Sequence, residues 1–177
     1  MTIPVKLKNL DFNAKNIVLK NHIYDYDRFY NQYFEEFANK LKNALRVENK
    51  KITLKEFIEV AKVVFYNGFW NAIKEQQLAN YLNKNNFKSW VVFGELDYIF
   101  KIDVMAQRNN KNYFIQLKSS GTILKLETLK SFYNLATKKG ALPVVASWAK
   151  KAPYWEFYEL KGFAGHYWLQ KIEKFPN

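Results

Sequence analysis

Residues 112–122 read NYFIQLKSSGT, an apolar run that carries a Gln and a Lys two positions apart and then turns through Ser-Ser-Gly. Side chains alternate across a strand, so Phe114, Gln116 and Lys118 share one face while Tyr113, Ile115 and Leu117 share the other. A polar pair on so apolar a strand belongs either to a sheet edge or to a working site. The flanking pattern bears on that choice.

Upstream, SWVVFG (89–94) and YIFKIDVMA (98–106) read as two further strands, and Asn109-Asn110 marks the turn into the Gln-x-Lys strand. Before them, FWNAIKEQQLANYLNKN (69–85) is a helical run that follows Gly68 and ends at Asn85-Asn86. Downstream, LKLETLKSFYNLATKKG (124–140) is helical and stops at Gly140. ALPVVASWA (141–149) then reads as a buried strand and YWEFYEL (154–160) as another. A strand, a helix and a strand in succession favour a parallel crossover inside a mixed sheet. The expected class is α/β, ordered helix, three strands, helix, strand, strand.

The N-terminal third reads differently. The first 25 residues have no clear period and suggest a strand or an irregular arm. Phe29, Tyr33, Phe34, Phe37, Leu41 and Leu45 then recur at helical steps. Thr53 with Glu56 forms a capping-box pattern ahead of a second helix over about 54–65. These boundaries give a mostly helical extension at 1–67, a core at 68–160 and an aromatic, basic tail at 161–177 packed on the core.

Within the core, Asp103 falls on the middle strand, on the face of Lys101 and Met105. A hairpin through Asn109-Asn110 brings it beside Gln116 and Lys118. On the preceding helix Ala72, Glu75, Ala79 and Leu82 form a single face, so Glu75 is a carboxylate on the side that should be buried. A buried carboxylate is costly unless it is paired or bound to metal.

A helical acid, a strand acid and a Gln-x-Lys on the next strand are similar to the PD-(D/E)xK nuclease superfamily, a restriction endonuclease-like fold. The likeness runs from about Gly68 to Leu160 and carries Asp103, Gln116-Leu117-Lys118 and Glu75 onto the family's motif positions. It implies a divalent metal, usually magnesium with manganese as a substitute, and hydrolysis of DNA phosphodiester bonds. On this reading Asp103, Gln116, Glu75 and the Leu117 backbone carbonyl hold the metal, and Lys118 acts on the attacking water. The chain departs from the pattern twice, with Ile102 in place of the Pro and Gln116 in place of an acid. A neutral amide adds no charge, so a further carboxylate is needed. Glu75 is the first candidate, with Glu95 and Asp97 of the GELD segment as accessories. Ser119 and Ser120 are phosphate ligands or an ordinary turn, and the turn is favoured.

Composition sets the outer limits. The 28 Lys+Arg against 16 Asp+Glu leave a net charge of +12, which favours polyanionic partners, nucleic acid first. Lys101, Lys150 and Lys151 are candidate DNA contacts. The aromatics at 148–158 are either a stacking surface or, for the alternating ones, core. The absence of cysteine excludes disulfides and thiolate sites, and His22 and His166 lack ligand spacing. No Gly-rich phosphate loop, membrane-length apolar run or signal-like start is visible, so a cytoplasmic protein without a membrane or small-molecule partner is expected. The expected function is a type II restriction endonuclease, a homodimer cutting a short double-stranded site. The alternatives are a nuclease resembling Holliday-junction resolvases, a homing nuclease, and an inactive DNA-binding module.

Overall fold

Side-chain caps fix where the first helices begin in the computed structural model, which describes residues 7–119, 125–148, 155–173 and 175. The chain divides into two units, residues 1–74 and 75–177. In the first, α1 (Leu7–Leu10) precedes α2 (Ala14–Lys20), where Asn13 accepts from the Asn16 amide and Ala14, Val18 and Leu19 are buried. Two short helices therefore stand where an arm or strand was expected. The cap and the four-residue step from Ala14 to Val18 explain the difference.

Helix α3 (Tyr26–Val47) starts at Asp25, which accepts the Arg28 amide at 2.7 Å, and buries Phe29, Phe37, Leu41 and Ala44. The chain then enters α4 (Leu54–Val60), widens into a π-helical segment (Ala61–Tyr66) and continues as α5 (Asn67–Lys84). No break occurs at Gly68. A Cβ there would lie 2.9 Å from the Cβ of Ala14, so this glycine serves close approach and not helix termination.

Both halves of the capping box at α4 are present: the Glu56 amide donates to Thr53 Oγ1, and the Thr53 amide donates to the Glu56 carboxylate at 2.7 Å. The backbone bond from Thr53, with its hydroxyl second, holds the Glu56 carboxyl below its ordinary value. A depressed carboxyl contributes stability above its unfolded pKa and loses it as pH falls through the folded value. Thr53→Ala is expected to cost about 1 kcal/mol at neutral pH. It should also flatten the acid limb of thermal melts followed by helical circular dichroism.

In the second unit, six strands form one sheet in sequence order: β1 (Lys88–Val91), β2 (Val104–Arg108), β3 (Lys111–Ser119), β4 (Ala141–Trp148), β5 (Trp155–Phe163) and β6 (His166–Lys171). Neighbours are antiparallel except β3 and β4, which run parallel and are connected through α7 (Leu126–Lys138). This is a mixed α/β fold. Asn109 and Asn110, both at positive φ, make the two-residue turn from β2 to β3. Gly140, at φ +65°, releases α7 into β4.

Two segments differ from expectation. Of YIFKIDVMA only the end is strand, because Glu95–Tyr98 form a single helical turn, α6, closed by Lys101 at φ 58°. The Lys101 amide donates to the Asp97 carbonyl and the Ile102 amide to that of Leu96, so those groups are unavailable for a ladder. Residues 161–171, expected as tail, complete β5 and supply β6.

Helices cover both faces of this sheet. Phe114 and Leu160 pack with Phe132 and Ala136 of α7. On the other face Ser89 Oγ donates to the Ala79 carbonyl of α5, and Tyr81 stacks on Phe157. Trp155 and Phe157 are buried, as alternating core residues of the last strands should be. No described helix is long and apolar enough to cross a membrane.

Candidate active site

The β2–β3 ladder assembles the site. Its register pairs Val104 with Ile115, which leaves Asp103 immediately before the strand and beside the second half of β3. The Asp103 amide donates to the Ile115 carbonyl at 3.0 Å, so that carbonyl faces two residues of the opposite chain, as in a β-bulge. From the other direction, Asp103 Oδ2 accepts the Leu117 amide at 2.6 Å. Asp103 is thus fastened to the residues on both sides of Gln116. Its own carbonyl accepts the Val92 amide at 2.9 Å, which ties it to the segment after β1. Neither the Leu117 amide nor Val92 was marked by the sequence, because backbone donors leave no residue-type signal.

Gln116 lies on β3, one of the two middle strands of the sheet, paired with Val145 of β4, and is 0% exposed. Neither its Oε1 nor its Nε2 has a hydrogen-bond partner among the described residues. Leaving such a group unsatisfied costs about 1–3 kcal/mol, and natural cores rarely keep one without a use for it. Alternation places Gln116 and Lys118 on the side of Phe114, the α7 side. Lys118 is half-buried opposite Ser147 and makes no ion pair with a described residue.

Glu75 is 6% exposed, and Ala72, Ala79 and Leu82 of the same helix face are buried with it, as the spacing predicts. It belongs to the helix on the opposite side of the sheet. The bonds that fasten Asp103 to Ile115 and Leu117 do not involve it.

Among the accessory candidates, Asp97 is half-buried in α6, whereas the Glu95 side chain lies outside the described residues. Lys101 is exposed in the turn and does not share a strand face with Asp103, contrary to expectation. Ser119 is exposed at the end of β3, and Ser120, Lys150 and Lys151 lie outside the described residues.

The donor chemistry bears on whether these residues suit a metal. Among the described residues no three Asp, Glu, His or Cys gather into a cluster that could hold one. Magnesium needs less. It keeps several waters and is commonly held by one or two carboxylates together with substrate phosphate. Asp103, an unsatisfied amide oxygen at Gln116 and nearby backbone carbonyls form an oxygen-only set, which fits a hard dication and not a thiophilic or imidazole-preferring metal.

No family model and no curated protein matches the chain. Among solved structures, part of the chain is similar to Hjc, a Holliday junction resolvase from the archaeal hyperthermophile Archaeoglobus fulgidus. The two share 23% identity at a TM-score of 0.41, over 50% of this chain and 74% of that one.

Proposed function

We propose that the chain is a divalent-metal-dependent DNA endonuclease whose chemistry is carried by Asp103, Gln116 and Lys118, without the Glu75 that the sequence pattern grouped with them. The observation that carries this reading is Gln116, a fully buried amide with no hydrogen-bond partner among the described residues, flanked by Ile115 and Leu117, which Asp103 binds through its backbone amide and its carboxylate. An oxygen ligand facing no protein donor is what a cation site requires before the cation binds.

In this scheme the Asp103 carboxylate, Gln116 Oε1 and the Leu117 carbonyl would hold the metal, with Glu95 and Asp97 as sources of further negative charge. When bound, magnesium supplies charge neutralisation at the scissile phosphate and a water of lowered pKa. The bond from the Leu117 amide keeps the Asp103 carboxylate from rotating. Lys118, two residues beyond Gln116, presents an ammonium to the phosphate oxygens and stabilises negative charge as it develops there. Double-stranded DNA is the proposed partner. A homodimer would let two such sites each cut one strand of a short palindrome, the behaviour of a type II restriction enzyme.

The test is cleavage of unmethylated phage DNA and of a four-way junction of arbitrary sequence, with magnesium at about 10 mM and with chelator. Discrete phage-DNA fragments that need the metal are the expected result. Cutting confined to the junction would keep the nuclease and replace restriction by junction resolution. DNA binding without cutting, in magnesium and in manganese, would overturn the enzyme and leave a binding module.

A further inference from the structure

The helical unit of residues 1–74 carries a feature that the proposed nuclease chemistry does not use. Between α3, α4 and the π-helical segment lies an open groove of about 520 Å³, walled by Tyr26, Tyr30, Phe34, Phe57, Phe65 and Tyr66. Its rings contact one another both stacked and edge-on: Tyr30 stacks on Phe34 at 4.5 Å, Phe34 meets Phe57 edge-on at 6.4 Å, and Tyr26 meets Tyr66 edge-on at 5.2 Å. Tyr30 and Tyr66 are 41% and 43% exposed, which is unusual for large rings already in contact with others. The π-helical turn supplies one wall through Lys62, Phe65 and Tyr66. Such turns are rare and frequently mark functional positions.

A second cavity, of about 610 Å³, shares Phe57 with the first. Its lining includes Lys42, Arg46, Lys50 and Lys51. Neither cavity is lined by an Asp or a Glu, and Lys62 adds a cation to the aromatic one. Two acids of the same segments are already committed, Glu48 to Lys50 at 2.9 Å and Glu56 to the Thr53 cap. That leaves Lys42, Arg46, Lys51 and Lys62 to face an external anion, all of them exposed.

Aromatic rings that accept a planar partner, adjoining cations that accept a charged one, form the surface that unpaired nucleic acid recognises. Every base has a face to stack, and every nucleotide brings a phosphate. A duplex does not match it, because its bases are already stacked. An acidic peptide satisfies the cations but leaves the rings without planar partners. We infer that the helical unit binds single-stranded nucleic acid, with unstacked bases in the groove between α3 and α4 and phosphates on the neighbouring cations. The inference does not depend on the nuclease reading. It gives the chain a means of holding DNA that is melted, flipped or displaced.

The test uses the full chain in chelator, so that cleavage plays no part. Fluorescence anisotropy compares a labelled oligothymidine with a duplex of equal length. The single strand is expected to bind more tightly. Tyr30→Ala is expected to weaken that binding about 10-fold, and Tyr30→Phe to leave it unchanged, because stacking needs the ring and not the hydroxyl. Replacing Lys42 and Arg46 by Gln should make the slope of log affinity against log salt shallower by about 1.4, roughly 0.7 for each phosphate that is no longer neutralised. Far-ultraviolet circular dichroism of each variant separates lost binding from lost folding. Equal affinity for strand and duplex, or a folded Tyr30→Ala that binds as the wild type does, would overturn the inference. Phosphatidylserine vesicles serve as the competing anionic surface. Vesicle binding that is lost in Tyr30→Ala while oligothymidine binding survives would assign the groove to a membrane and also overturn it.

Discussion

Gln116→Leu is expected to melt at a higher temperature than the wild type in metal-free buffer, and to cut no DNA. Leucine is close in size to glutamine and fills the same space without polar atoms. The native residue is fully buried, and both ends of its amide lack partners among the described residues. Removing an unsatisfied amide should return about 1–3 kcal/mol. For a chain of this length each kcal/mol corresponds to about 2–4 °C of melting temperature. Activity moves the other way, because the oxygen assigned to the metal is gone. A stabilised, inactive protein is the signature of a position kept for function at the expense of the fold. Differential scanning calorimetry in chelator, beside a cleavage assay in magnesium, reads both quantities. A clear fall in melting temperature would mean that the amide is bonded in solution, and the open ligand position would have to be given up.

Lys118→Ala is expected to cut about 10²–10³-fold more slowly while still binding DNA. Lys118 is half-buried at the end of β3 and forms no ion pair with a described residue, so its loss strands no buried carboxylate there. The fold should therefore tolerate alanine, and the deficit should lie in the chemical step. Single-turnover cleavage with enzyme in excess isolates that step, and a gel shift in chelator measures binding separately. If the variant cuts at the wild-type rate, the chemistry lies elsewhere in the molecule. If cutting and binding fall by the same factor, Lys118 is only a phosphate contact.

The sheet and its hairpin were readable because their signals are local. Alternation in 112–118, paired asparagines at 109–110 and a glycine at 140 each act over a few residues, and each fixes the backbone by a known steric preference. The burial of Glu75 was readable for the same reason, from the spacing of the apolar residues Ala72, Ala79 and Leu82 around it. Less visible was the region before β2. In YIFKIDVMA the apolar alternation resembles a strand, but Lys101 takes a left-handed φ and the Lys101 and Ile102 amides close a helical turn instead. Local turn bonding outweighed strand propensity there. Gly68 misled in the opposite sense, read as a boundary when its missing Cβ admits Ala14. The side of the sheet from which each site residue comes was not legible at all. It depends on which helix covers which face, and no single segment encodes that.

The strands of the sheet lie in the order in which they are synthesised, and this gives the site a history as well as a shape. Each ladder except one joins strands that follow each other through a short connection or a small insertion, so the sheet can grow from one edge as the chain leaves the ribosome. The pair of β2 and β3 is complete once residue 119 has emerged, and with it the fastening of Asp103 to Ile115 and Leu117. Gln116 cannot gain its neighbour on β4, Val145, until α7 and β4 have followed. Burial of the amide is therefore the late, unfavourable event in an assembly that is otherwise local. Mutations that ease it should act on the rate at which the last strands dock, and leave the hairpin that founds the site untouched.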